Sequence, residues 1–431
     1  MLDFGRSEDP RVQAQLDRLS RLSVPQGRLG LDTIRALMER LGNPDRVLPP
    51  VFHVAGTNGK GSVCAFLRAM LEAQGYRVHV TTSPHLVRYN ERIRLAGKLI
   101  GDAMLADLLA EVLDAGEDLH PSFFEVTIAA AFTAFARVPA DACVVEVGMG
   151  GRFDATNVLE PGVLAACGIA ALGLDHERFL LAPEEGTPKE PMARIGFEKA
   201  GIAKAGVPLV TLAHDPLPAG AVAAQASRFD APLLPQGAAW EARTADGRLA
   251  YRDTEGALDL PLPALAGAHQ LDNAGLAVAM LRHQQHLAVS DGAIAEGLRR
   301  ATWPARLQRL GPGPLTGGRE VWLDGGHNPQ AGAMLGAHFA QTRLHLVIGM
   351  IEGKDPSAIT GPLAKSIASI TAVPVPGHDW HPASAFGSEA RPAPDLPGAM
   401  AMLPEDGLPV LIAGSLYLAG AALKLNAELP D

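Results

Sequence analysis

Cysteine is almost absent from this chain: Cys64, Cys143 and Cys167 are the only three in 431 residues, and no two share a metal-ligand or redox spacing. That excludes a disulfide framework and a thiolate metal centre, and leaves buried, reduced thiols of a cytoplasmic protein. Basic charge is in short supply too. With 37 Lys and Arg against 47 Asp and Glu, the formal charge is −10. This balance argues against a nucleic-acid partner, and an anionic substrate must be held by local cations. Long apolar runs are missing; the longest, 126–136 and 163–174, are too short to cross a bilayer. Acidic and basic residues soon after Met1 interrupt any signal peptide, so the expectation is a cytoplasmic chain with no membrane contact.

What is present is enough apolar material, 47% of the chain, for more than one core and two domains. The most informative stretch is Gly56-Thr57-Asn58-Gly59-Lys60-Gly61-Ser62, between an apolar strand at 51–55 and a helix beginning near Val63. Glycines let backbone N–H groups approach phosphate oxygens, the helix N-terminus faces them, and Lys60 adds a full charge. The loop departs from GxxxxGK[ST], with Val54 and Gly61 where that pattern has glycine and hydroxyl, and Ser62 one place late. Strand, loop, helix and the next strand at 78–82 still form the unit that a nucleotide triphosphate site requires.

Further strands are expected at 142–147, with Glu146 embedded in it, within 163–174, which ends in Asp175-His176, and at 207–211. Such apolar strands predict a mostly parallel sheet. Alternation around Asp246-Gly247 predicts a hairpin at 242–252 appended to that sheet, and Pro and Glu mark 182–191 as an exposed loop. Trp303-Pro304 and Gly311-Pro312-Gly313-Pro314 break regular structure, after which strands recur at 321–324, 344–349, 370–375 and 410–413. The fold class is therefore α/β: a P-loop-type domain over 1–299, a linker at 300–318 and a smaller Rossmann-like domain over 319–431. Ser83 follows the strand at 78–82, Glu146 interrupts that at 142–147 and His176 follows the run at 163–174; ligands of open α/β sheets collect at strand carboxyl ends, so these three are candidates to hold magnesium beside Lys60.

The motifs Ser83-Pro84-His85-Leu86, Phe124-Glu125, Glu146 to Asn157, Glu198-Lys199-Ala200-Gly201-Ile202, Trp303-Pro304-Ala305-Arg306, Leu323 to Pro329 and Gly414-Ser415-Leu416-Tyr417 follow the loop in order. With it, they resemble the folylpolyglutamate synthase and dihydrofolate synthase family of the Mur ligase superfamily, over nearly the whole chain. The resemblance implies that Gly56, Thr57, Asn58, Gly59, Lys60, Gly61 and Ser62 hold the triphosphate of ATP. It implies two magnesium ions served by Ser83, Glu146 and His176, and catalytic roles for Lys60, His176 and Lys199. Asn273, Arg306, Asp324 and His327 would complete an ATP site between domains, and Lys199 would be N6-carboxylated. On its own, Lys199 reads as an exposed helix lysine.

For the pterin-bearing substrate the resemblance points to Leu22, Ser23 and Val24, to Phe123 and Phe124, and to Phe153, Asp154 and Ala155. One of the two adjacent phenylalanines is expected to be core. The partners implied are dihydropteroate or folate and L-glutamate, with the chain acting as a monomer. The implied reaction is attack of a substrate carboxylate on the γ-phosphate, then displacement of phosphate from the acyl phosphate by the amine of glutamate. Two departures stand out: the segment between His176 and Lys199 is longer than the family usually has, and Gly326 stands where Ala is more usual. Two alternatives share the nucleotide site: another Mur-type amino-acid ligase, for whose extra N-terminal domain a loop starting at Gly56 leaves little room, and a non-synthetic P-loop switch.

Overall fold

All five residues of Val51–Ala55 are buried, and this strand, β1, is the centre about which the first unit is built. The computed structural model describes residues 5–22 and 30–431. It divides into two units, residues 1–264 with 270–301 and residues 265–269 with 302–431. In the first, β2 (Val78–Thr81), β3 (Ile93–Leu95), β4 (Lys98–Leu99), β5 (Ala142–Glu146), β6 (Leu164–Ile169), β7 (Leu209–Thr211) and β8 (Leu233–Pro235) join β1. The order is β4-β3-β2-β5-β1-β6-β7-β8. Six strands run parallel and the β3–β4 edge is antiparallel, as the apolar runs predict.

Register decides where the site falls. Val54 pairs with Glu146, Thr81 with Val145 and Ala55 with Ile169, so β1, β2, β5 and β6 end level with one another. Successive connections leave β1 on opposite sides, which makes this carboxyl edge the switch point of the sheet. Glu146 is the last residue of β5 and is not embedded within it, so its carboxylate emerges at that edge.

The predicted hairpin exists, as β9 (Trp240–Ala245) and β10 (Arg248–Asp253), turning through Asp246 and Gly247 at φ 50° and 71°. It is not appended to the main sheet. β11 (Gly256–Leu260) completes a separate three-stranded sheet, because Trp240, Leu249, Tyr251 and Leu260 give it a buried face of its own. That face lies on the helix His269–Arg282: a Cβ on Gly275 would meet Ala242 Cβ at 2.6 Å and Trp240 at 2.9 Å.

The second unit has β12 (Gln308–Arg309), β13 (Val321–Leu323), β14 (Leu344–Ile348), β15 (Ile367–Ala372), β16 (Arg391–Pro392) and β17 (Val410–Ala413), in the order β12-β13-β17-β14-β15-β16. All but β12 are parallel. Leu335, Phe339, Ile359 and Leu363, on the helices Pro329–His338 and Ser357–Leu363 or just past them, pack with Leu344, Leu346 and Leu411 in its core. Among the described residues no helix is long and apolar enough to cross a membrane.

The helix that follows the phosphate loop, Lys60–Ala73, buries ten of its residues. Helix Asp291–Arg300 crosses it at backbone contact, since a Cβ on Gly297 would stand 2.5 Å from Met70 N and Cα. Gly297→Ala should therefore lower stability by about 1–3 kcal/mol through overpacking. Urea unfolding checks this, and an unchanged midpoint would contradict the close crossing.

Candidate active site

Gly56 and Gly59 take φ values of 148° and 87°, conformations that glycine adopts without strain. Space demands glycine as well: a Cβ on Gly56 would meet Ala170 Cβ at 2.9 Å, and one on Gly59 would meet Asn273 Oδ1 at 2.4 Å. Thr57 and Asn58 donate their N–H groups to Ala171 O at 2.8 and 3.2 Å, and the Thr57 hydroxyl exchanges bonds with Gly173. The phosphate loop is thus laced to the segment that follows β6. Gly59, the N-cap of Lys60–Ala73, has no side chain to spend on the helix's first N–H groups, which suits them to an anion. Lys60 Nζ curls back over the loop to Gly56 O at 3.1 Å and Thr57 O at 3.4 Å.

Asn273 reaches the same place through a neighbour the sequence did not suggest. Its Nδ2 donates to Gln270 Oε1 at 3.0 Å, and Gln270 Nε2 donates to Ser62 Oγ at 3.2 Å. Gln270 is wholly buried. No local pattern could expose a pairing across 208 positions.

Ser83 and Glu146 are brought together, with Ser83 N donating to Glu146 Oε2 at 3.0 Å. Cys64, one turn into the helix, senses both charges: after burial, Glu146 pushes its thiol up and Lys60 pulls it down. His176 lies beyond the Thr57-bonded Gly173, at φ 52°, with Nε2 3.8 Å from Asp175 Oδ2. Among the described residues no group of three or more His, Cys, Asp or Glu side chains forms a metal cage. Magnesium commonly takes one or two carboxylates with waters and substrate phosphates, so Ser83 and Glu146 beside a phosphate loop fit such an ion.

Lys199 overturns its reading as an exposed helix lysine. Ending the helix Pro191–Lys199, it is 5% exposed and donates to Gly56 O at 2.8 Å. Glycines allow that burial: Cβ atoms on Gly151 and Gly201 would meet Lys199 O at 2.8 Å and Arg152 Cβ at 2.4 Å. Burial first, and then Lys60, lower the Lys199 pKa from 10.5 to about 7.

Of the residues implied for the pterin, Ser23 and Val24 lie outside the described residues, and Leu22 packs against the core. Phe123 and Phe124 are both half-buried, so neither is wholly core. Phe123 meets Tyr89 edge-on at 5.7 Å with the Arg92 guanidinium 5.3 Å away, while Phe124 lies so close to Gly148 that a Cβ there would stand 2.4 Å from its ring. Phe153 lies 4.1 Å beneath the Arg152 guanidinium, and Ala155 is buried. Asp154 is buried too, and accepts from Met149 N at 2.7 Å, Thr156 N at 3.1 Å and Thr156 Oγ1 at 2.6 Å.

In the second unit, Asp324 follows β13 and accepts from Leu307 N at 2.8 Å and Gly326 N at 2.7 Å; burial raises its pKa while Arg306 opposes this. Arg306 stands between two left-handed residues, Ala305 at φ 57° and Leu307 at φ 42°. His327 Nδ1 lies 3.2 Å from Gly325 O.

No family model matches the chain. It is 36% identical over 344 residues to the dihydrofolate synthase/folylpolyglutamate synthase of Bacillus subtilis (strain 168), covering 75% of this chain and 76% of that protein. Among solved structures, E. coli FolC in complex with DHPP and ADP matches with a TM-score of 0.84 at 30% identity, covering 97% of this chain and 98% of that one. A bifunctional folylpolyglutamate synthase/dihydrofolate synthase with Mn, AMPPNP and L-glutamate bound matches with a TM-score of 0.83 at 30% identity, covering 98% and 99%. Such relatives, with a phosphate loop and carboxylate at the switch point of the sheet, define an ATP-dependent ligase. The chain belongs to the folylpolyglutamate synthase/dihydrofolate synthase family.

The Lys199 pKa has a measurable consequence. Between about pH 7 and 10.5 the unfolded chain binds a proton at this lysine that the native chain does not, so stability rises with pH across that window. The burial cost is fully present below pH 7. In carbon dioxide-free buffer, wild type should gain about 1–2 kcal/mol over Lys199→Met between pH 7 and pH 9 by urea unfolding. Parallel curves for the two proteins would contradict the assignment.

Proposed function

We propose that this chain joins L-glutamate to dihydropteroate, to the glutamate tail of a reduced folate, or to both, converting ATP to ADP and phosphate through an acyl phosphate. In this reading the first unit, residues 1–264 with 270–301, is the ATP-binding domain and the second, 265–269 with 302–431, is the glutamate-ligase domain, which takes in the 302–318 part of the expected linker through β12, in a cytoplasmic enzyme. One observation carries it: Lys60 and Lys199 both donate to Gly56 O, at the sheet edge where Glu146 ends β5.

The residues take distinct tasks. Lys60 and the N–H groups at the start of its helix neutralise the transferring phosphoryl group. Ser83, Glu146 and His176 hold divalent metal, which when bound draws charge from phosphate oxygens. With a pKa of about 7, Lys199 keeps a large neutral fraction at physiological pH. That amine can attack carbon dioxide; an N–C bond forms, a proton leaves, and the cation becomes a carbamate anion beside Lys60.

Ligation is tested with ATP, magnesium and L-glutamate, offering dihydropteroate and tetrahydrofolate separately and reading product mass. Substrate labelled with heavy oxygen in its carboxylate should deliver one labelled oxygen to inorganic phosphate per turnover. Label appearing in AMP would establish adenylation in place of the acyl phosphate, and no glutamylated product from either pterin would overturn the reading. For Lys199, native intact mass in bicarbonate should show one added carbon dioxide that Lys199→Ala lacks. An unmodified, fully active enzyme would remove the carbamate from the mechanism.

A further inference from the structure

The segment read as an exposed loop, 182–191, is anchored by a charged ring. Glu184, with a side chain 15% exposed, pairs with Arg152 at 2.5 Å and with Arg194 at 3.1 Å. Glu198 pairs with the same two arginines, each at 2.8 Å, which closes a four-membered ring of alternating charge. The Arg152 guanidinium is held on two edges. Its Nε and Nη2 donate to Glu198 at 3.0 and 2.8 Å, and its Nη1 and Nη2 donate to Glu184 at 3.1 and 2.5 Å. One flat face then rests over Phe153 at 4.1 Å, with the Phe197 ring 5.0 Å away. Thr187 ties the loop again: its hydroxyl donates to Glu184 O at 2.7 Å and accepts from Arg194 Nη1.

Bidentate arginine–carboxylate pairs fix orientation as well as distance, and rings partly withdrawn from water are screened less than surface pairs. Glu198 alone leaves the outer edge of Arg152 to solvent. Glu184 removes that freedom, and with it the freedom of the ring beneath. The same ring reaches the main chain next to Lys199, because Arg152 N donates to Glu198 O at 2.8 Å.

We propose that Glu184 is a positioning residue for the pterin substrate: through Arg152 it fixes the Phe153 ring against which the heteroaromatic ring is bound. This rests on the pterin ligase reading above. The longer segment between His176 and Lys199 is therefore a strap that completes the substrate wall, and not a surface insertion.

The test compares steady-state kinetics of wild type, Glu184→Gln and Glu185→Gln, whose side chain is exposed one position along the same loop. Glu184→Gln should raise KM for dihydropteroate or tetrahydrofolate by about five- to tenfold, the loss of one charge-assisted pair, with KM for ATP within about twofold of wild type. Glu185→Gln should match wild type, and pairing Glu184→Gln with Arg152→Lys should add little to the larger single effect. A pterin KM unchanged in Glu184→Gln, or ATP and pterin constants rising together, would overturn the inference while leaving the ligase reading intact. Wild type inactive on both pterins would instead remove the reading itself. If Glu184→Gln melts below assay temperature, Glu184→Asp, which keeps the charge but draws it back from Arg152, must show the same pterin-only rise or the inference falls.

Discussion

One carbonyl oxygen organises the active edge of the first unit: Gly56 O accepts from Lys60 at 3.1 Å and from Lys199 at 2.8 Å. Two ammonium groups on one acceptor repel each other, and burial penalises the more enclosed of them. For Lys199 the fall from 10.5 to about 7 corresponds to a cost on the order of 5 kcal/mol for keeping it charged. That is comparable to the net stability of many domains. A cost of this size, beside a glycine-rich loop, is the kind of perturbation found at functional sites and supports the role proposed for Lys199. In the carbamate proposed above, the interaction with Lys60 would change sign, from repulsion of like charges to attraction between unlike ones.

Such an encounter requires three chain segments to approach at backbone distance, and glycine makes each approach. Gly56 admits Ala170 from the segment after β6, while Gly151 and Gly201 let the turn around Arg152 lie against the end of the Lys199 helix. Any side chain at these positions would have to displace main chain, a movement that would carry Lys199 away from the phosphate loop. The ring of Arg152, Glu184, Arg194 and Glu198 closes the outer side of the same contact. Glycines set the distance, and charges set the orientation.

Much of this was legible in residue order. The alternation of apolar runs and helical periodicity gave the parallel sheet, because a strand buried on both faces must be continuously apolar. The Gly56 to Ser62 loop announced its chemistry through composition and context. Burial of Lys199 was not legible, since it depends on glycines at 151 and 201 and on a carbonyl 143 positions away. The segment at 182–191 is the exposed loop that its Glu and Pro content predicts, but its anchoring was not legible for a related reason: only the fold supplies Arg152 and Arg194 to hold Glu184. The hairpin around Asp246-Gly247 was found correctly from its turn residues, whereas its separation from the main sheet follows from packing on the helix that carries Asn273.

Asp154 and Asp324, assigned by resemblance to substrate and nucleotide, share a task in the two units that resemblance alone does not convey. Each is buried, each has its pKa raised by burial, and each spends its oxygens on main-chain donors: Met149 and Thr156 in one case, Leu307 and Gly326 in the other. A carboxylate that accepts such bonds shapes a loop rigidly, since breaking one leaves a buried charge short of a donor. Each aspartate thereby fixes a turn that presents other side chains, Arg152 and Phe153 in the first unit and Arg306 and His327 in the second. At Arg306 the turn holds Ala305 and Leu307 in left-handed conformations, costing about 1–3 kcal/mol each, so the backbone donors of Asp324 must offset real strain. Arg306 Nη1 makes a long 3.5 Å bond to Ala305 O, and, against burial, its charge draws down the Asp324 pKa. That strain sits in a turn that Asp324 holds through main-chain donors, and in the proposed reaction the guanidinium the turn carries would meet an anionic ligand.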